Sequence, residues 1–322
     1  MSANAAGFEV GWEQLALPVK PHPPVKPVQG TVRSGQNETV IYLETGGARA
    51  AFDKNSGLLC EYGPAGSNLI KSGPALNIWR GATDNDGIKL LLHRRHVLSR
   101  WLEEKLDQVA LRLVSIQLVE QDGAMPAVEV IHQASGRGQW DDFRHTHRYT
   151  LLPSGELQVE NTVELGNGLT DVPRVGVSLS LIPSLEELVW FGRGPWENYC
   201  DRKASAMLGH YHSTVSAQYV PYIMPQEHGH KTDVRWLSLA DPAGQGLVVT
   251  GGPTLEFSAS HFTATDLFNA RHTTDLKPRP EIILNLDAAQ RGLGTASCGP
   301  DTLEKYRLLE KEYRFSYTLK LK

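Results

Sequence analysis

Cysteine is scarce: there are three in 322 residues, at positions 60, 200 and 298. An odd, widely spaced set gives neither a disulfide framework nor a CxxC zinc pattern, and it points to a reducing compartment, the cytoplasm. Neither sign of charge is in large excess. Lys plus Arg number 32 against 36 Asp plus Glu, for a net charge of −4, which argues against a nucleic-acid grip built on basic surface. No run approaches the roughly 18 consecutive apolar residues of a transmembrane helix, so no membrane partner is expected. Residues 1–7 lack the basic and apolar regions of a secretory leader, and the glycosylation pattern Asn37-Glu38-Thr39 is set aside on the same grounds. A phosphate-binding glycine loop with its lysine is missing, as is HExxH. Gly192-Arg193-Gly194 runs straight into Pro195-Trp196 without such a lysine.

Helical periodicity is also sparse. Leu91, Leu98, Trp101 and Leu102 suit one helix within 89–107, and a shorter one is expected near Thr263, where a capping hydroxyl precedes Asp266. Alternation with period two dominates instead. Leu157, Val159, Asn161, Val163 and Leu165 share one face; Val175, Val177, Leu179 and Leu181 share another, opposite Arg174, Gly176, Ser178 and Ser180. Tyr313, Phe315, Tyr317, Leu319 and Leu321 repeat the pattern. One apolar face and one wet face is the antiparallel signature. Further strands are expected at Thr39–Leu43, Leu111–Val119, Leu188–Phe191, Leu247–Thr250 and Ile282–Leu286, with turns at Asn55-Ser56-Gly57 and Pro153-Ser154-Gly155. The fold class is all-β: a large antiparallel sandwich with one or two short helices, big enough to sustain its core without staples.

The first thirty residues differ. Gly7–Leu15 alternates as one strand, and five prolines fall within residues 17–27, a density that favours an extended spacer. Residues 1–30 therefore read as the last strand of a preceding domain plus a linker, and 31–322 as the main domain.

Several clusters suit chemistry. His145/His147, His210/His212 and His228/His230 each put two imidazoles on one strand face, as a metal pair would, but no third ligand is assignable and hydrogen-bonded or rim histidines are the favoured reading. Trp79-Arg80-Gly81-Ala82-Thr83-Asp84-Asn85-Asp86-Gly87 sets one guanidinium beside two carboxylates. Arg80 is expected to pair with those acids, Asn85 to complete a turn and Gly87 to act as a hinge. Phe191–Tyr199 mixes aromatics with polar groups, which suits carbohydrate contact and a packed sandwich corner equally. Glu227 and His228 are available for proton transfer. Gly292-Leu293-Gly294-Thr295-Ala296-Ser297-Cys298-Gly299-Pro300 is a small-residue loop in which Cys298 reads as a lining residue rather than a nucleophile.

Together, residues 79–86, 192–199, 221–229 and 287–300, in that order, resemble the C-terminal domain, or small chain, of β-galactosidases of glycoside hydrolase family 2. The resemblance implies a β-supersandwich of the galactose mutarotase kind and a part in hydrolysing terminal β-D-galactosides such as lactose. It implies that the two catalytic glutamates of a retaining enzyme, about 5 Å apart, come from a (β/α)₈ barrel that this chain lacks, so no catalytic residue is expected here. Magnesium and sodium are likewise expected on other domains, with no cofactor or metal site in this chain. The expected partners are the remainder of the enzyme, the galactoside and further copies in a homo-oligomer. Many members carry a tryptophan that stacks on the sugar where this chain has Cys298. Cys298, Asn85, Asp86 and Gly87 are thereby expected beside the substrate. Two other readings remain open: a stand-alone aldose 1-epimerase using Glu227 and His228, and a free carbohydrate-binding module.

Overall fold

The computed structural model describes residues 11–15, 17–18, 30–120 and 125–322. The strand expected over Gly7–Leu15 and the proline spacer lie mostly outside the described residues. Within Gly11–Leu15 no ladder forms. Gln14 contacts the main domain through its side chain, donating its amide to the Leu208 carbonyl (2.8 Å) and accepting from the Leu208 amide (2.6 Å).

The chain opens with a four-stranded meander, β1 (Arg33–Gln36), β2 (Val40–Glu44), β3 (Arg49–Asp53) and β4 (Leu59–Gly63). Strand β5 (Ile70–Asn77) and helix α1 (Val97–Glu103) follow. A second meander then runs through β6 (Ala110–Val119), β7 (Ala127–Ser135), β8 (Phe143–Leu151) and β9 (Leu157–Leu165). After β10 (Arg174–Leu181) come β11 (Glu187–Gly194), β12 (Met207–Thr214), β13 (Lys231–Ala240) and the long β14 (Gly246–Ser260). Helix α2 (Ala264–Asn269), β15 (Ile282–Gln290) and β16 (Glu312–Leu321) complete it. The twelve later strands form one sheet in the order β12-β11-β13-β14-β16-β9-β8-β7-β6, with a branch β14-β15-β10-β5.

Strand β14 makes the branch. On one edge it pairs with β13 along most of its length, from Gly246 to Phe257; on the other its first half pairs with β16 (Val249 opposite Leu319) and its last residues with β15 (Ser258 opposite Asn285). The two arms fold over one another, because Val177, Leu179 and Leu284 of the branch share one buried cluster with Val130, Leu157, Val159 and Leu319 of the main path. The all-β antiparallel sandwich expected from the alternation is therefore the observed architecture.

Two local expectations change. Strand β10 lies between β15 and β5 and is covered on both faces, so Arg174 is fully buried rather than wet. The helix expected within 89–107 is confined to Val97–Glu103, and Leu90, Leu91 and Leu92 stand outside it, exposed. The chain before Val97 is committed to other bonds: the Leu98 amide donates to the Asp86 carbonyl (2.9 Å) and the His96 amide to the His93 carbonyl (2.9 Å). Helix α2 forms where Thr263 signalled it. The hydroxyl accepts from the Asp266 amide (3.1 Å), and the Asp266 carboxylate accepts from the Thr263 amide (2.9 Å).

Trp101 of α1 is completely buried in a second cluster with Trp79, Leu98, Phe143 and Val175. Its indole N–H donates to the Asp171 carbonyl (2.8 Å), and its ring lies 5.6 and 5.9 Å from the guanidinium carbons of Arg80 and Arg291. Trp101→Ala is expected to cost about 3–5 kcal/mol in denaturant-induced unfolding of the protein. A loss under about 1 kcal/mol is the result that would contradict this packing.

Candidate functional site

Three arginines without solvent exposure, Arg80, Arg174 and Arg291, organise the end of the sandwich where the motif segments meet. A buried guanidinium requires charged and hydrogen-bonding partners, and each finds them on a different segment. Arg80, just after β5, donates to both Asp86 oxygens (Nη2–Oδ1 2.6 Å, Nε–Oδ2 3.1 Å) and to the Arg291 carbonyl. Asp86 Oδ2 also accepts from the Thr83 amide (2.9 Å) and hydroxyl (3.1 Å). The 80–86 segment is thus closed on itself. Arg291 donates to Asp171 (2.7 Å), Thr302 (2.7 Å) and Asp301 (2.9 Å).

This scaffold presents the small-residue loop. Asp201 accepts from the amides of Leu293 (3.0 Å) and Gly294 (2.8 Å). Asn85 donates to the Gly294 carbonyl (3.0 Å) and accepts from the Ser297 hydroxyl (2.7 Å) and amide (3.2 Å). Gly294 has φ +66°, and a Cβ there would lie 2.3 Å from the Thr302 hydroxyl, so only glycine serves. Cys298 sits exposed on this loop, where its amide donates to the Thr295 carbonyl (3.2 Å).

The inner side of the site is a charge cluster. Arg174 donates to Glu227 (2.6 Å) and has its Nε 3.1 Å from Asp287, whose own oxygens find no well-formed hydrogen bond. His230 lies 3.0 Å from Glu256 and 3.8 Å from Asp287. One guanidinium here faces several acids, and their pKa values separate accordingly. Burial alone would raise Glu227, but Arg174 outweighs it and holds the carboxyl below its usual range. Burial, offset only in part by Arg174 and reinforced by Glu256, pushes Asp287 up to about 8. Burial takes Glu256 up to about 7 despite Lys203. Burial, with Arg174 adding to it, lowers His230 to about 3.

The expected substrate neighbours separate into two kinds. Cys298 is exposed, and Asn85 is half-buried behind the loop it ties down. Asp86 and Gly87 are both buried, and neither reaches solvent. The expectation that they touch substrate gives way to a positioning role: Asp86 has its oxygens committed to Arg80 and Thr83, and Gly87 is packed in. Gly87 has φ +144°, and a Cβ there would meet His96 and Leu98 at 3.0 Å. Asp84 is exposed, and Arg80 pairs with Asp86 alone of the two aspartates. Asp171, Asp201 and Glu256 carry no motif in the sequence, and Asp287 and Arg174 enter it only as the first residue of a motif segment and of a strand. Arg174 carried the one available signal, a charge opening a strand otherwise apolar or small, and its alternation assigned it to the wrong face.

The paired histidines part company. His228 and His230 belong to this site, with His228 Nδ1 against the Gln226 carbonyl (3.0 Å). His145 and His147 on β8 are buried elsewhere, their rings 3.5 Å apart. They bond to Asn161 (3.1 Å) and to the Tyr149 hydroxyl (3.1 Å) respectively. Burial lowers His145 to about 3 and His147 well below the ordinary value. His212 is exposed and contacts Glu187 (3.0 Å). Among the described residues no group of three or more His, Cys, Asp or Glu side chains is placed to hold a metal ion.

These shifts set a pH optimum for stability. Below pH 6.5 the unfolded chain binds protons on His145, His147 and His230 that the folded chain refuses, so stability rises with pH up to that point. Asp287 and Glu256 act oppositely: folded, they keep their protons to about pH 8 and 7, whereas unfolded they ionise near 3.8 and 4.5. Their contribution falls with pH and dominates just above 6.5, until Lys89 and Lys231, which burial lowers to about 8, begin to oppose it. The melting temperature is expected to peak near pH 6.5 and decline to about pH 7.5, with Asp287→Asn flattening the decline. A steady rise from about pH 6.5 to 7.5 would exclude this balance.

Comparison with known proteins agrees with the motifs gathered at this site. The family model described as beta galactosidase small chain matches residues 44–319. The β-galactosidase of Priestia megaterium is 32% identical over 98% of this chain and 30% of its own length. That of Kluyveromyces lactis is 26% identical over 98% of this chain and 30% of its own length. The chain thus spans about a third of the curated relatives it matches. Among solved structures, a galactose 1-epimerase from Lactobacillus acidophilus aligns at TM-score 0.38 and 12% identity, covering 91% of this chain and 99% of that one, a distance at which neither activity nor site carries over. No helix among the described residues is long and apolar enough to cross a membrane. With its family model covering most of the chain and its motif segments joined round three buried arginines, this chain belongs to the β-galactosidase small-chain family.

Proposed function

We propose that this chain forms one wall of the substrate pocket of a β-galactosidase, and that the acids that cleave the galactoside arrive on the remainder of that enzyme. The observation that carries this is the state of the carboxylates. A retaining glycosidase needs two carboxyl groups about 5 Å apart facing an open sugar site. At this site Asp86, Asp171 and Glu227 are each held by an arginine, while Asp287 and Glu256 are buried around His230. A hollow of about 420 Å³ beside Trp190 and Trp196 carries one carboxylate, Glu197. Both Glu197 oxygens are occupied, by the Tyr222 hydroxyl and by the Gly229 amide (2.8 Å).

The exposed loop bearing Cys298 is the surface offered to sugar, and Asn85 fixes its conformation from behind. Asp86 and Gly87 act one step further back, by holding the segment that carries Asn85. The proposed partners are the rest of the polypeptide, the β-galactoside at the shared pocket and further copies of the enzyme. Magnesium and sodium belong to that remainder in this reading. The epimerase alternative is disfavoured by the contacts of Glu227. A proton-transferring Glu227 must be free to meet substrate, and it is instead buried against Arg174 and the Gln290 amide (3.1 Å).

A fluorinated galactosyl fluoride, which stalls the covalent intermediate of retaining enzymes, tests the division of labour in the full-length protein. The labelled peptide is expected outside these 322 residues, and a labelled glutamate or aspartate within them would overturn the proposal. In the same protein Cys298→Trp adds an aromatic platform worth about 1 kcal/mol. Galactoside affinity is expected to rise about five-fold, and unchanged or weaker binding would remove Cys298 from the sugar's surroundings.

A further inference from the structure

Lys89 has an unusual environment. Its ammonium nitrogen is surrounded by four backbone carbonyl oxygens, those of Pro225 (3.0 Å), Leu267 (2.9 Å), Phe268 (2.8 Å) and Ala270 (2.6 Å). An ammonium group has three N–H donors, so four oxygens at these distances surround it as they would a spherical ion. Among the described residues no carboxylate forms an ion pair with Lys89, whereas the three buried arginines all have carboxylate partners. The Phe268 ring, 5.6 Å from the nitrogen, supplies a further face favourable to a cation. Three of the carbonyls come from the last turn and cap of α2, where backbone acceptors lack intrahelical partners. Carbonyl dipoles gathered in this way replace the hydration shell of a monovalent cation.

We propose that the carbonyls of Pro225, Leu267, Phe268 and Ala270 form a monovalent-cation site which this chain fills with its own tethered ammonium, Lys89. The site clamps together three segments: the stretch following Asp86 and Gly87, the turn that leads into Glu227, and the end of α2. Lys89 is accordingly a positioning residue. Emptying the cage leaves four converging oxygens that take up a free cation of similar size, an alkali ion or a primary ammonium. The inference depends on the cage geometry and stands independently of the galactosidase reading.

The test is cation rescue in the full-length protein. Lys89→Ala is melted at one ionic strength in the chlorides of tetramethylammonium, potassium and methylammonium. The variant is expected to melt several degrees below wild type in tetramethylammonium, which is too large for the cage, and to recover at least half of that loss in potassium or methylammonium. Wild type and Lys89→Met, whose thioether arm fills the entrance without a charge, are expected to show no such preference. Equal melting of Lys89→Ala in all three salts overturns the proposal. Should that variant fail to fold, acetic anhydride mapping of the wild-type protein decides. Lys89 is expected to resist acylation at least ten-fold longer than the exposed Lys320, and equal rates count against the clamp.

Discussion

The architecture of the site follows from burying guanidinium groups where water cannot reach them. An unpaired charge in such a place is prohibitively costly, and breaking a buried pair typically costs several kcal/mol. Arg80, Arg174 and Arg291 therefore dictate where Asp86, Asp171, Glu227 and Asp287 must be. Those acids lie on segments scattered over more than two hundred positions, and satisfying all of them leaves each segment one placement. Trp101 fills the space between two of the arginines, so the hydrophobic core and the ionic cluster are packed as one body. The loop that ends in Cys298 inherits its position from this arrangement through Asn85, Asp201 and Arg291.

Such an arrangement suits a wall rather than a reaction centre. Catalytic acids are left short of partners and open to substrate so that they exchange protons with it, whereas here Asp86, Asp171 and Glu227 are each held by an arginine and the two acids with raised pKa values, Asp287 and Glu256, are buried around His230. Glu227, the best-placed acid by sequence, shows the contrast: its hydrogen bonds and its lowered pKa both describe a structural anion. At the surface the loop tip presents an exposed thiol, Cys298. The scaffold holds the loop from behind, and among the described residues that thiol makes no side-chain bond beyond its neighbour Ser297.

Much of the fold was legible because alternation reports directly on a sheet with one buried face. The expected strands at Leu157–Leu165, Leu111–Val119 and Ile282–Leu286 fall within β9, β6 and β15, and Thr263 marked α2 by its cap. Strand β10 shows where that reasoning stops. A strand covered on both sides no longer sorts polar from apolar by parity, so Arg174 read as solvent-facing. The run Leu90–Leu92 misled in the opposite sense, apolar in composition yet exposed, because Lys89 and Asp86 bind the backbone around it to other segments. Motif order brought the correct segments together, but which side chain faces outward depends on contacts between residues two hundred positions apart, such as Asn85 with Ser297. No local pattern encodes them.

Strand β16 lies between β14 and β9, with Leu319 opposite both Val249 and Leu157. It is synthesised after each of its neighbours. During translation the growing chain therefore holds β9 and β14 with open hydrogen-bonding edges for some 150 and 50 residues respectively. Such edges invite pairing with other nascent chains until residues 312–321 emerge and close the sheet. The sheet's central seam is thus also the last to receive its strand, and the arrival of β16 closes both open edges at once.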